Sequence, residues 1–211
     1  MGNISELQPH LVWEQFESIT QVPRPSKKEE QIIEFLIDFA KQHSLEWQRD
    51  DIGNVVIRKA ATKGYEERET VILQSHMDMV CEKNSDVAFD FDTQPIKAYV
   101  EDGWVRAEGT TLGADCGIGM AAAMAMLIDD DIEHGPLEAL FTVDEETGMY
   151  GAAGIDLSML KGRMLLNIDS EEEGIFTVSC AGGARSTIRV PAPRKPVYGP
   201  CVRLVVDKLQ G

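Results

Sequence analysis

Apolar and polar positions fall in blocks along this chain, and three apolar blocks stop abruptly on side chains suited to metal ions. Val71-Ile72-Leu73-Gln74-Ser75 runs into His76-Met77-Asp78, Leu137 to Val143 into Asp144-Glu145-Glu146, and Met164 to Ile168 into Asp169. Short apolar runs of this kind predict buried strands. In α/β sheets the ligand crevice lies beyond the carboxyl ends of such strands. A histidine and several carboxylates gathered there are costly to hold together without positive charge between them. One or two divalent cations are the simplest source of that charge.

Elsewhere the pattern changes period. Pro9 suits the first turn of a helix with Leu11, Val12, Phe16 and Ile19 on one face. Ser26 and Glu29 form a capping box for a second helix with Ile32, Ile33, Leu36, Phe39 and Ala40 as its buried stripe. Glu46–Asp50 and Asn54–Arg58 predict paired strands around Asp51-Ile52-Gly53, and 96–100 and 104–107 a second pair. The glycine-rich segment from Gly109 to Gly119 leads into a helix of small residues from Met120 to Leu127. The order of elements indicates an α/β fold, a mixed sheet flanked by helices. Near Gly182-Gly183 the texture changes, dividing the chain into residues 1–183 and a second β-containing unit, 184–211.

Charge and cysteine usage narrow the partners. A formal net charge of -16 leaves no basic surface for nucleic acid or an anionic membrane. The longest wholly apolar run, Met120 to Ile128, is well short of the roughly 18 residues a membrane span needs. The first residues lack a signal-peptide pattern, and Cys81, Cys116, Cys180 and Cys201 form no CxxC pair. The expectation is a cytoplasmic protein with free thiols.

The candidate chemistry then sorts by residue. His76 and Asp78 sit two apart at a strand end and face the same side, which suits a ligand ring steered by a carboxylate. Asp115 opens a helix, where the helix N-terminus favours its ionised form. Gly113, Gly117 and Gly119 also fit a nucleotide-binding turn, but an aspartate in a phosphate cradle would repel the ligand and the P-loop Lys-Ser/Thr ending is absent. Glu145 and Glu146 are adjacent, so one can coordinate while the other serves as a general base; Asp144-Glu145-Glu146 taken alone also fits an exposed acidic turn. Asp169 is the strand-end candidate, with Glu171 to Glu173 read as a solvated turn. His10, His43 and His134 read as surface or packing residues. A carboxylate-rich shell containing one imidazole suits Zn²⁺, with Mn²⁺ or Co²⁺ as alternatives.

The runs Ser75-His76-Met77-Asp78-Met79-Val80, Gly109-Thr110-Thr111-Leu112-Gly113-Ala114-Asp115, Asp144-Glu145-Glu146-Thr147-Gly148-Met149 and Asn167-Ile168-Asp169-Ser170-Glu171-Glu172-Glu173 resemble the aminoacyl-histidine dipeptidases. These Xaa-His dipeptidases, or bacterial carnosinases, belong to the co-catalytic zinc exopeptidases with aminoacylase and carboxypeptidase G. The resemblance implies two Zn²⁺ bridged by Asp115, with His76 and Glu146 on one and Asp169 on the other. It implies that Asp78 orients His76 and that Glu145 is the general base. It further implies a cis peptide after the bridging aspartate, where the family usually has asparagine and this chain has Cys116. The family's last zinc ligand is a histidine far towards the C-terminus, and no histidine follows His134 here. The chain is therefore read as the N-terminal part of a longer dipeptidase that forms homodimers through a lid domain, with the part alone expected to be inactive. Related aminoacylases, carboxypeptidases and tripeptidases share the same shell, and a non-catalytic metal-binding module is the alternative outside the enzyme class.

Overall fold

The computed structural model describes residues 2–170 continuously, then 172, 174–179 and single positions up to Val205. Two compact units divide at Gly174, Met1–Gly174 and Ile175–Gly211. The Gly182-Gly183 boundary, the strands expected after it, Cys180 and Cys201 lie outside the described residues.

In the first unit, helices α1 (His10–Thr20) and α2 (Glu30–Gln42) precede strands β1 (Glu46–Arg49), β2 (Val55–Lys59) and β3 (Val71–His76). The hairpin of β4 (Ala98–Glu101) and β5 (Trp104–Ala107) leads to α3 (Ala114–Ile128), β6 (Leu137–Thr142), the short α4 (Tyr150–Gly154) and β7 (Met164–Asn167). Among the described residues the main sheet has five strands in the order β1-β2-β6-β3-β7. Its first two pairings are antiparallel, whereas β6 and β7 both run parallel to β3. This is the mixed sheet flanked by helices that the alternation of elements implied.

The core forms because the apolar stripes meet. Phe16 and Ile19 of α1, Ile32, Leu36 and Ala40 of α2, and Met120, Ala121 and Met124 of α3 are essentially fully buried against Val55, Ile57, Ala139 and Phe141 of the sheet. The small residues of α3 let it lie close to both α1 and β3.

Two expectations change. The segment at Ser26 and Glu29 is not a capping box: α2 begins at Glu30 and its N-cap, Glu29, makes no side-chain cap bond. The Ser26 hydroxyl donates instead to Asp78, and Glu29 accepts from the amides of Lys27 and Asp144, so tertiary partners displace local capping. Nor is β7 buried. It is the edge of the sheet with β3 as its neighbour, and Met164, Leu165 and Leu166 are 49%, 48% and 45% exposed.

Candidate metal centre

The register explains why distant residues meet. His76 pairs with Thr142 across β3 and β6, and Gln74 pairs with Asn167 across β3 and β7. All three strands therefore end at one edge of the sheet. His76 closes the central one, Glu145 and Glu146 follow β6, and Asp169 follows β7. Asp115 arrives from above, on the irregular first turn of α3, where Asp115 and Cys116 leave helical geometry and the peptide between them is cis.

Around the His76 ring the donors crowd closely. Its Nε2 lies 2.9 Å from Asp115 Oδ1 and 3.6 Å from Asp169 Oδ1. Ligand atoms of His76, Glu145 and Glu146 fall within 4.8 Å of one another, as do those of His76, Cys116 and Asp169. The structure thus brings together His76, Asp78, Asp115, Glu145, Glu146 and Asp169, every residue picked from the sequence. His10 and His43 are exposed, and the buried His134 packs away from the site with its Nδ1 against the Gly135 carbonyl.

Asp78 lies beneath the ring, fully buried. Its Oδ1 is 3.3 Å from His76 Nδ1 and accepts the Glu145 amide at 3.0 Å. Its Oδ2 accepts the Ser26 hydroxyl at 2.7 Å and the Glu146 amide at 3.3 Å. One carboxylate therefore ties the histidine to the loop bearing both glutamates. A ring N–H directed at Asp78 leaves the Nε2 lone pair facing Asp115 and Asp169.

The electrostatics follow from that crowding. Burial pulls the His76 ring down, but the carboxylates of Asp78, Asp115 and Asp169 outweigh it and hold the ring protonated up to about 9. Burial also pushes Asp78 up, but His76, Ser26 and the Glu145 amide prevail and bring it to about 2. Asp169 is raised to about 6 by burial and by neighbouring Asp115, against the pull of His76. Glu146 is raised as well, by burial and then by Asp115. A proton is thus held among these donors at neutral pH, because carboxylates crowded together disfavour full ionisation. Hard carboxylate oxygens with one imidazole nitrogen fit a divalent metal.

Sequence reasoning missed three participants. Ser26 had been assigned to a helix cap, and only the tertiary fold shows it serving Asp78. Arg24, in the loop between α1 and α2, is 3% exposed and donates to the carbonyls of Met77, Asp78 and Gly113. Neighbours in sequence rarely share one ion, so Cys116 beside Asp115 is no ligand candidate from the sequence alone. The irregular backbone at Asp115 and Cys116 nevertheless directs its sulfur towards His76 and Asp169, with the thiol 3.4 Å from the Ile168 carbonyl. Burial, and then Asp169, push that thiol well above its usual range.

Comparison with known proteins identifies the family. Residues 72–189 match the family described as Peptidase family M20/M25/M40. Over 197 residues, 93% of this chain, it is 47% identical to the cytosol non-specific dipeptidase of Escherichia coli. It spans 41% of that relative's length. The crystal structure of aminoacylhistidine dipeptidase from Vibrio alginolyticus superposes with a TM-score of 0.80 at 48% identity, covering 82% of this chain and 35% of that one. An aminopeptidase from Bacillus cereus superposes at 0.64 with 26% identity, over 79% of this chain and 44% of the other. With the strand-end donors and the matched span in agreement, the chain belongs to peptidase family M20/M25/M40.

Proposed function

We propose that this chain supplies the metal-binding half of a dipeptide hydrolase, with His76, Asp115, Glu146 and Asp169 holding two divalent cations and Glu145 acting as the general base. The observation that carries the reading is His76 Nε2, set 2.9 Å from Asp115 and 3.6 Å from Asp169 while Asp78 occupies the other ring nitrogen. Asp115 is 2.9 Å from His76 Nε2 and close enough to act on both Glu146 and Asp169, which supports a shared-ligand role. Two bound cations would supply Lewis-acid polarisation of the peptide carbonyl and a water of lowered pKa.

The protein's own residues do the rest. Asp78 holds the His76 ring with Nε2 turned outward, and by accepting the Glu145 and Glu146 amides it fixes the loop that presents both carboxylates. Glu145 takes a proton from the attacking water and returns it to the leaving amine. Zn²⁺ fits this shell best, with Mn²⁺ and Co²⁺ next. The substrate is a small peptide. The E. coli relative is called non-specific and the V. alginolyticus protein an aminoacylhistidine dipeptidase, so dipeptides as a class are proposed, with Xaa-His among them. A cytoplasmic location and a homodimeric whole protein belong to the same reading. No described helix is long and apolar enough to cross a membrane.

The experiment is Glu145→Gln, made in this chain and in a chimera completed with the remaining portion of the E. coli relative. Zinc affinity of the chain should stay within a few-fold, while kcat of the chimera on β-alanyl-histidine and glycyl dipeptides falls by about 10²–10⁴. A variant that hydrolyses at the wild-type rate would overturn the assignment, as would one that loses its zinc.

A further inference from the structure

Beside the centre sits a buried cation that no ligand role explains. Arg24 is 3% exposed, and its guanidinium hydrogen-bonds to carbonyls. Nη1 donates to Met77 O at 3.1 Å and Asp78 O at 2.9 Å, and Nη2 donates to Gly113 O. The Arg24 backbone carbonyl accepts the Met79 amide at 3.1 Å, so this residue grips the segment after His76 from both its side chain and its main chain. The Asp78 carbonyl bound by Nη1 also lies 3.1 Å from His76 Nδ1. Gly113 stands two residues before Asp115.

The surrounding glycines are shaped to the guanidinium. A Cβ at Gly113 would lie 2.5 Å from Nη2, and one at Gly117 would lie 2.6 Å from it. Gly113 also has a φ of 71°, a left-handed conformation that side chains disfavour. The glycine run that resembles a phosphate cradle thus leaves room for an internal arginine. Burial lowers Arg24 to about 10, against the raising effect of Asp78, so it stays charged at neutral pH.

We propose that Arg24 is a positioning residue that clamps the His76 strand end to the Asp115 loop and thereby sets the spacing of the metal donors. The inference rests on the metal-centre reading above. A planar fork can serve three carbonyls from two segments at once, whereas a lysine ammonium keeps the charge but not that geometry.

The test uses the full chain as wild type, Arg24→Lys, Arg24→Gln and Gly117→Ala, the last also combined with Arg24→Gln. Zinc affinity is read by competition with a chelator, and amide exchange of the metal-free chain is read at Met79 and in the first turn of α3. Arg24→Lys should weaken zinc about tenfold or more, as expected for a partner one layer outside the ligands. It should also speed exchange at both segments while leaving β2 and β6 unchanged. Gly117→Ala, which displaces the guanidinium without removing it, should weaken zinc similarly in the wild type and by less than about twofold in Arg24→Gln, because coupled sites are not additive. Wild-type zinc affinity in Arg24→Lys, or additive effects in the double variant, would overturn the proposal. Should the wild type bind no zinc, the metal reading fails and Arg24 is judged by exchange alone, where unchanged protection at both segments refutes the clamp.

Discussion

Asp78→Asn is the perturbation with the clearest expected magnitude. Asparagine fits the same space, but one arm becomes an amide NH₂, and every hydrogen-bond partner described for the Asp78 carboxylate is a donor. The cheaper orientation places NH₂ at Oδ2, where the Ser26 hydroxyl can turn to accept and the Glu146 amide is left unpaired. A buried donor without a partner costs about 1–3 kcal/mol. Titration gives a second route to the same quantity: Asp78 falls from 3.8 to about 2, which at about 1.4 kcal/mol per pH unit is a contribution of about 2–3 kcal/mol. The two routes describe overlapping interactions, so they are alternatives rather than a sum. Melting of the metal-free chain at pH 7 should drop by about 5–10 °C, and zinc affinity by about 10–100-fold. Because the Asp78 value is depressed, its stabilisation is present above 3.8 and lost as pH falls through about 2, so the gap between variant and wild type should close towards that pH. A variant melting within about a degree of wild type at pH 7 would refute the reasoning.

Zinc uptake should release protons: His76 holds one up to about 9 and Asp169 is half-protonated near 6, so calorimetry in buffers of differing ionisation enthalpy should show more release at pH 6 than at 7.5, and an affinity flat from pH 6.5 to 8.5 would contradict this. In the metal-free chain the raised His76 value contributes stability that is complete below 6.5 and lost as pH rises through about 9. Glu138→Gln should destabilise by about 3–5 kcal/mol in urea unfolding, because Glu138 pairs with Arg58 at 3.0 Å in the interior and also accepts the Lys161 and Gly162 amides; a loss under about 1 kcal/mol would show the pair is dispensable. Leu73→Thr, at a position 7% exposed, should cost about 2–4 kcal/mol, whereas Leu165→Thr on the edge strand should cost less than about 1 kcal/mol, and equal losses would contradict the exposed placement of β7.

The candidate centre was legible in the sequence because its residues, Asp115 on α3 apart, mark strand ends, and parallel pairing brings strand ends together whatever the loops between them do. Periodicity also marked the stripe of α2 and the hairpin at Gly53. What periodicity cannot show is which neighbour a polar group chooses. Ser26 reads as a cap in one dimension, yet the buried carboxylate of Asp78, just past β3, is the stronger acceptor. Arg24 carries no pattern at all, since its partners are main-chain carbonyls 53 to 89 positions away. The apolar run of β7 looked like those of β3 and β6, but burial depends on what lies on either side, and an edge strand has one neighbour fewer. Cys116 carried no signal of its own because its neighbour Asp115 already filled the ligand role, and only the irregular backbone of α3 shows where its sulfur lies.

The parallel arrangement of β3, β6 and β7 also bears on when the centre can exist. Its proposed donors come from positions 76, 115, 146 and 169, so long loops must close before any cation sees more than one of them. An ion arriving early meets isolated carboxylates; an ion arriving late meets a finished cage. On the proposed reading, a metal ion would act as the last fastener on an assembled sheet rather than as a seed for it, adding about 2.7 kcal/mol at a hundred times its dissociation constant. Chelation should accordingly loosen the molecule without erasing its architecture.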